Sequence, residues 1–355
     1  MEKKWCLILF WIKYQSIIVS DSYCFTVNHE IKQLATLKNA NEPTPMTVFD
    51  RKAKVIQKQR AAIAEDSSVY EYIKEEIGYR LSDRLFDIKR QFNLVVDLGC
   101  GYGHVSKHIS IDNVKELIMC DICQEILNKS KNPEPGVKVS KIIVDEEKLP
   151  FENDSIDLII SCLNLHWVNN LPSTFLQIKN CLKNDGVFLG AMLAGDTLYE
   201  LRSSLQLAGI ERDGGVAPRI SPFVRLRDVG ALMQNAGFSM LTLDTDELII
   251  RYPSMFELMW DLKGMGENNA VLHRPLRLNK NTMFSAAAIY DKLYGNQDDD
   301  SDTKGIPATF QVLYMIGWKP DPSQPKPLSR GSGQISIKDI GELDKIVKNL
   351  GKIET

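Results

Sequence analysis

The chain has 355 residues, of which 44% are hydrophobic and 25% charged, and its formal net charge is −3. These values are ordinary for a soluble globular protein and exclude a collagen, a coiled-coil rod, a wholly disordered chain and a polytopic membrane protein. The length predicts one elaborated domain or two. The near-neutral balance gives no general attraction to nucleic acid or anionic lipid.

The first 45 residues are interpreted as a variable or targeting segment outside the fold. An apolar run at 5–12, flanked by lysines, is too short to span a bilayer, which takes about 20 apolar residues. It is compatible with a cleaved export signal, whereas the lack of arginine before Arg51 argues against a mitochondrial presequence. The alternative is a variable or misassigned start.

A basic helix is predicted over residues 50–64. Five Lys and Arg residues lie between positions 51 and 60, and apolar residues recur at helical spacing. Two interpretations stay open: a helix that meets lipid headgroups or an acidic partner, or a solvated face packed on the main domain. A second helix is predicted over 69–89 from its apolar face.

A glycine-rich turn follows the first predicted strand. The strand leads into D-x-G-x-G-x-G, from Asp97 to Gly103, and glycines permit positive φ and close approach of a ligand. A dinucleotide loop instead has G-x-G-x-x-G and binds a pyrophosphate, which Asp97 would repel. The acid suits a ligand with an ammonium group. A helix from about His104, with Val105 and Ile109 inward, is predicted next.

Acidic residues stand at the ends of the next strands. The further strands of this region are predicted at 116–120, 137–144, 155–161 and 185–192. Asp121 is placed to accept two hydrogen bonds from a ribose diol, with a solvated strand-end acid as the alternative. Asp145 and Glu146 can accept the exocyclic amine of an adenine. Alternating strands and helices predict a parallel sheet that binds ligands at its carboxyl edge.

Four residues are candidates for handling a substrate. His166 can position or deprotonate a substrate, and Trp167 can stack on a guanidinium, unless both form only a structural lid edge. Arg219 suits a carboxylate by its fork geometry. The alternative is that it only belongs to a loop whose structure Pro218 and Pro222 fix. Asp196 is an alternative anchor for a cationic substrate.

The remaining chain gives weaker predictions. A helix is predicted over 225–238, with Leu226, Val229, Leu232 and Met233 inward and a stop at Gly237. The others are a strand at 248–250, a helix over 255–262 capped by Ser254 and Glu257, a strand at 310–316 at the sheet edge, a solvated acidic loop at 298–302 and an extended tail from Pro320. Cys120 and Cys123 form a C-x-x-C pair, but no second pair follows at zinc-ribbon spacing, so a metal or redox role is the minor alternative. No metal site is predicted.

Residues 90–195 resemble the class I S-adenosylmethionine-dependent methyltransferases. The resemblance implies an α/β, Rossmann-like fold: a mostly parallel seven-stranded sheet with helices on both faces, a helical N-terminal extension and a C-terminal insertion. In that family the glycine turn surrounds the methionine moiety, the acid at 121 holds the ribose and those at 145–146 lie beside the adenine. The expected cofactor is therefore S-adenosyl-L-methionine, with contacts from Asp97, Gly99, Cys100, Gly101, Gly103, Asp121, Ile122, Asp145, Glu146 and Asn164.

Segments outside this core narrow the resemblance. Over about residues 46–335 the chain is similar to arginine hydroxylases that assemble respiratory complex I, relatives of the malonyl-carrier O-methyltransferases of biotin synthesis. The resemblance implies hydroxylation of an arginine on an iron–sulfur subunit of complex I early in assembly, together with methyltransferase activity. It also implies other complex I assembly factors as partners and a peripheral place on the matrix side of the mitochondrial inner membrane.

The predicted domain spans 46–320, with a core at 90–195, a substrate or cap region at 196–300 and a tail at 321–355. The residues alone show no oxygenase centre, because none of the five histidines begins an H-x-D/E iron motif. Two other functions stay open: an O- or N-methyltransferase on a small or carrier-bound acid, and a non-catalytic assembly chaperone.

Overall fold

The computed structural model describes residues 47–295, 305–325 and 330–332. The predictions for the N-terminal segment, the acidic loop at 298–302 and most of the tail lie outside the described residues. Within them, no helix is long and apolar enough to cross a membrane.

The structure consists of helices packed around one sheet. The α-helices of the described residues are α1 (Arg51–Ile63), α2 (Tyr72–Phe86), α3 (Gln124–Lys129), α4 (Leu171–Cys181), α5 (Tyr199–Asp213), α6 (Leu226–Ala236), α7 (Met255–Gly264) and α8 (Lys280–Tyr294). The strands are β1 (Phe92–Leu98), β2 (Val114–Asp121), β3 (Lys138–Ile143), β4 (Ile156–Cys162), β5 (Leu182–Leu193), β6 (Ser239–Tyr252) and β7 (Ile306–Trp318).

The seven strands form a single sheet in the order β3-β2-β1-β4-β5-β7-β6. Strands β3, β2, β1, β4 and β5 run parallel to one another, and β7 lies antiparallel to both β5 and β6. The predicted fold class is thereby confirmed. The carboxyl ends of β1, β2, β3 and β4 meet along one edge, where ligands bind in sheets of this kind.

Local signals set several helix ends, and those at Ser254 and Gly237 were predicted. The Asp50 carboxylate accepts a hydrogen bond from the Ala53 amide at 3.0 Å and begins α1. The Ser254 hydroxyl accepts one from Phe256 and begins α7, while Gly237 ends α6 with φ of +90°. Side chains that accept from free amide groups at a helix start stabilise it by about 1 kcal/mol each.

A hydrophobic core fills the space between the sheet and helices α4 and α6. Phe175 and Phe188 are fully buried there with ring centroids 5.9 Å apart, and Val96 and Met315 belong to the same cluster. Burying apolar area of this kind is the main favourable term in folding. The core therefore fixes the strand ends that carry the candidate site.

Three predictions about the fold are wrong in detail. The helix expected from His104 is only a 3₁₀ turn, Ser106–His108. The Ser106 hydroxyl bonds to the Asp97 carboxylate instead, and serine side chains that find such partners compete with helical structure. The late strand β7 lies inside the sheet, because β6 pairs along its outer side. Leu226, expected inward, is exposed.

Candidate cofactor and substrate site

The glycine turn after β1 is built for close approach. The amides of Gly99 and Cys100 both donate to the Cys120 carbonyl at 2.8 Å, which ties the turn to the end of β2. Gly99 has φ of +75°, and a Cβ there would lie 2.1 Å from the Asn164 amide nitrogen. A Cβ on Gly103 would lie 2.4 Å from the Lys131 carbonyl. Both positions therefore require glycine.

Asp97 is buried beneath this turn with half of its carboxylate unused. The Ser106 hydroxyl donates to Asp97 Oδ2 at 2.6 Å, whereas Oδ1 has no hydrogen-bond partner. Burial raises the pKa of Asp97 to about 7, and the Ser106 hydrogen bond offsets this only in part. A buried acceptor without a partner is costly, so the atom suits a donor brought by a ligand.

Asp121, the last residue of β2, is fully buried and fully engaged. Its oxygens accept from the amides of Gly101 at 3.2 Å and Cys123 at 2.9 Å. The Lys58 ammonium adds contacts to both oxygens, at 3.3 and 3.2 Å. An ionised carboxylate offers about four acceptor positions, and these contacts use all of them. A ribose can bind here only when Lys58 withdraws.

Asp145 and Glu146 also face a cation of α1. The Arg51 guanidinium lies 2.9 Å from Asp145 Oδ1 and bonds to the buried Glu146 carboxylate. Burial raises the pKa of Glu146, but Arg51 and Lys58 outweigh burial and hold it below its usual range. Asn164 joins the two pairs, since its amide contacts Glu146 and its oxygen accepts from Lys58 at 3.0 Å.

Helix α1 therefore has a different role from either predicted one. Arg51, Lys54 and Lys58 are spaced at i, i+3 and i+7 and share one face of the helix. All three side chains turn inward to buried or half-buried carboxylates, rather than to solvent or lipid. The partner that the basic helix finds is the protein's own acidic edge.

Glu267 was not predicted as a site residue, and it receives the third cation. It follows α7, whose end is turned by Gly266 at φ of +71°. Glu267 Oε2 accepts from the Trp167 indole at 2.8 Å and lies 3.4 Å from Lys54 Nζ. One sequence signal could have indicated Glu267. It is an acid just beyond the C-terminus of a helix, where the helix dipole favours a cation.

His166 and Trp167 form a buried wall beside Glu267. His166 Nε2 lies 3.4 Å from Glu267 Oε2, while Nδ1 has no hydrogen-bond partner. Burial lowers the pKa of His166 more than Glu267 raises it, so the ring is neutral at pH 7. The Lys54 ammonium lies 3.3 Å from the centroid of the Trp167 ring. Lys54 thus occupies the face of Trp167 on which the stacking of a guanidinium is predicted.

The other predicted residues lie apart from this cluster or serve as its lining. Arg219 pairs with Asp213 at 3.1 Å and donates to the Arg277 carbonyl at 3.4 Å. Asp196 is exposed and accepts from Gln311 at 3.3 Å. Ile122 is half-buried beside Asp121 in the chain. Cys100, Cys120 and Cys123 are buried free thiols; in the described residues no three His, Cys, Asp or Glu side chains are grouped to hold a metal ion.

The edge formed by the carboxyl ends of β1, β2, β3 and β4 fits S-adenosyl-L-methionine. Asp97 Oδ1 is a buried, unpaired acceptor for an ammonium group, and the glycines expose backbone rather than side chains to the ligand. Asp121 and Glu146, predicted for the ribose and the adenine, lie at this same edge, where Asn164 contacts Glu146 and Lys58. Lys58 and Arg51 engage these two acids in the present arrangement.

Residues 96–190 match the family model described as "Methyltransferase domain". Over longer stretches the chain is 48% identical to the mitochondrial arginine-hydroxylase NDUFAF5 of Danio rerio, covering 85% of this chain and 92% of that protein. It is 44% identical to the Homo sapiens protein of that name, covering 90% of each. A malonyl-[acyl-carrier protein] O-methyltransferase of Gallionella capsiferriformans is 29% identical over 78% of this chain and 93% of its own.

Solved structures give a weaker comparison. The YcgJ protein of Bacillus subtilis is 18% identical and covers 68% of this chain and 99% of its own, with a TM-score of 0.46. The strand order of this chain establishes its fold.

Proposed function

Because this chain belongs to the family of the mitochondrial arginine-hydroxylase NDUFAF5, we propose that it hydroxylates an arginine side chain of a protein. The protein substrate is an iron–sulfur subunit of respiratory complex I, which is modified early in assembly. Other complex I assembly factors are the partners of this chain in that process. Hydroxylation replaces one C–H hydrogen by a hydroxyl group. The added oxygen atom comes from an external oxidant of the dioxygen-plus-reductant class.

The observation that supports an arginine substrate is the chemistry of the carboxyl edge. Glu146 and Glu267 are acids that already hold cationic groups, the Arg51 guanidinium and the Lys54 ammonium. Carboxylates next to a planar guanidinium form the strongest charge-assisted hydrogen bonds that proteins use. An edge of this composition favours a cationic substrate over the carrier-bound acid of the O-methyltransferases.

S-adenosylmethionine is the cofactor of the scaffold, and when bound it supplies an electrophilic methyl group on a sulfonium. Asp97 would hold its ammonium group and Asp121 its ribose hydroxyls. Glu146, with Asp145 beside it, would accept from the adenine amine. Neutral His166, buried next to Asn164 and Trp167, orients the substrate and accepts a proton through its free nitrogen Nδ1.

The place of action follows from the same family. The relatives at 44–48% identity are named as mitochondrial proteins, which supports a mitochondrial location. Complex I assembly adds the finer proposal of a peripheral position at the matrix side of the inner membrane.

Intact-mass and tandem mass spectrometry of the complex I subunit test this function. The subunit is isolated from cells that lack the chain and from cells that express it again. Restoration should add one oxygen, about 16 Da, to an arginine. A gain of about 14 Da would instead support a methyltransferase, and an unchanged mass with restored assembly would support a chaperone.

The cofactor site is tested separately by thermal shift with S-adenosylmethionine. The variant Asp97→Ala should abolish the ligand-induced shift, while the surface variant Asp244→Asn should keep it. An equal shift in Asp97→Ala and wild type would show that the assigned pocket is wrong.

A further inference from the structure

Glu267 and Trp167 form a second cation-binding place beside the cofactor edge. Two cations of α1, Lys58 and Arg51, engage acids that are assigned to the cofactor, Asp121 and Glu146. The remaining one, Lys54, lies 3.4 Å from Glu267, an acid to which the cofactor assignment gives no role. Glu267 also contacts the Trp167 indole and Lys74, so its carboxylate is already arranged to bind cationic and N–H donor groups.

The geometry of this place matches a guanidinium. One face is the Trp167 ring, on which Lys54 Nζ lies 3.3 Å from the centroid. One side is the Glu267 carboxylate, oriented by the Trp167 indole at 2.8 Å. An aromatic face with a carboxylate at its margin binds the flat, delocalised guanidinium through stacking and charge-assisted hydrogen bonds.

The Lys54 ammonium donates to the Gly266 carbonyl at 2.7 Å, yet burial disfavours its charged form. Lys54 is almost fully buried, and burial lowers its pKa to about 7 although Glu267 opposes the change. An ammonium group is compact and strongly hydrated, so burying it is costly, whereas a guanidinium is weakly hydrated and keeps its charge. An arginine side chain therefore gains more from this place than Lys54 does.

An unpaired polar atom also lines this place. His166 packs between Trp167 and Phe223, with ring centroids at 5.2 and 6.0 Å. Its Nε2 points to Glu267 at 3.4 Å, and its Nδ1 is buried without a partner. Such an atom is rarely left unsatisfied in a folded protein, and a guanidinium has five N–H donors to offer.

We propose that Glu267 and Trp167 bind the guanidinium group of the substrate arginine, and that Lys54 occupies this position until the substrate displaces it. The proposal rests on the proposed function, since it identifies where that function's substrate binds.

The binding test uses N-acetyl-L-arginine amide as the probe, measured by calorimetry on the full chain. The variant Lys54→Met removes the competing ammonium, and Lys74, 3.6 Å from Glu267, still pairs with the acid. Its affinity for the probe should exceed that of the wild type by about tenfold or more. Lys52→Met, an exposed position of the same helix, is the matched control and should bind as the wild type does.

The double variant Lys54→Met/Glu267→Gln identifies the carboxylate. It should lose the gained affinity, and N-acetyl-citrulline amide, the neutral isostere of the probe, should not bind Lys54→Met. The proposal is overturned by equal binding of arginine amide to the single and double variants, or by equal binding of the citrulline compound. A thermal melt of each variant confirms that a loss of binding is not a loss of folding.

Activity on the complex I subunit separates this proposal from the proposed function. Glu267→Gln should raise KM for the subunit by about tenfold or more, with the Kd for S-adenosylmethionine within about twofold of wild type. Arginine-amide binding as described, with no oxygen added by the wild type, would refute the hydroxylase function and leave the guanidinium site standing. Oxygen addition with an unchanged KM in Glu267→Gln would refute the site alone.

Discussion

Helices α1 and α2 both make ion pairs with the sheet, and the pairs of α2 with β6 are far more exposed than the pair of α1 with β2. Helix α2 places Arg84 3.0 Å from Asp244 of β6, with 33% and 60% of the side chains exposed. Helix α1 places Lys58 3.2 Å from Asp121, with 13% and 0% exposed. The distances are similar, so water access rather than geometry distinguishes the two sets.

The difference matters because water sets the cost of each pair. Exposed pairs contribute about 0–1 kcal/mol, since the charges stay hydrated and screened. Buried pairs lose hydration that their attraction repays only in part, and removing one partner leaves a costly isolated charge. Such pairs are weak evidence for stability, and at α1 they stand where a ligand's groups are expected.

The largest expected effect comes from breaking the buried set. Glu146→Gln leaves the Arg51 guanidinium with only the more exposed Asp145 as an acidic partner. We expect the free energy of unfolding to fall by about 3 kcal/mol, measured by urea denaturation. A loss below about 1 kcal/mol would place this pair in the same class as the exposed pairs of α2.

The pH dependence of stability tests the buried Lys54. Burial lowers the pKa of Lys54 from 10.5 to about 7. Glu267 opposes this change, whereas the nearby charges of Lys74 and Lys58 add to it. Between these values the unfolded chain binds more protons than the folded one, so this residue makes the free energy of unfolding rise with pH, by up to about 1.4 kcal/mol per unit.

The variant Lys54→Met lacks that contribution. The difference between wild type and Lys54→Met in the free energy of unfolding should therefore change between pH 7 and pH 9, when both are measured by denaturant titration. Parallel curves over this window would show that Lys54 titrates at its usual pKa.

A smaller effect is expected on cofactor affinity. Lys58 uses two of the four acceptor positions of Asp121, so Lys58→Met should lower the Kd for S-adenosylmethionine by about tenfold. Calorimetry measures this, with Lys52→Met as the exposed control on the same helix. A weaker affinity in Lys58→Met would mean that Lys58 holds the cofactor rather than competing with it.

The smallest effect is expected from the exposed set. Asp244→Asn should change the free energy of unfolding by less than about 1 kcal/mol, and its Kd for S-adenosylmethionine should equal that of the wild type. A loss comparable to that of Glu146→Gln would remove the distinction between the two sets of pairs.

Much of the cofactor edge was predictable from the sequence. The run from Asp97 to Gly103 and the acid at 121 act through local chemistry: the need for positive φ, and the position at a strand end. The capping residue Ser254 was an equally local signal. The turn at Ser106 was missed because its hydroxyl has a partner nine residues away, Asp97, which a helical pattern does not reveal.

The amino-acid sequence by itself determined the strands, the glycine turn and the basic face of α1, because each depends on residues that are neighbours in the chain. Only the tertiary structure decided which acids that face meets. Arg51 and Glu146 are separated by 95 positions, and Lys54 and Glu267 by 213. Pairing over such separations depends on how the core packs the helices onto the sheet, and no local pattern encodes it.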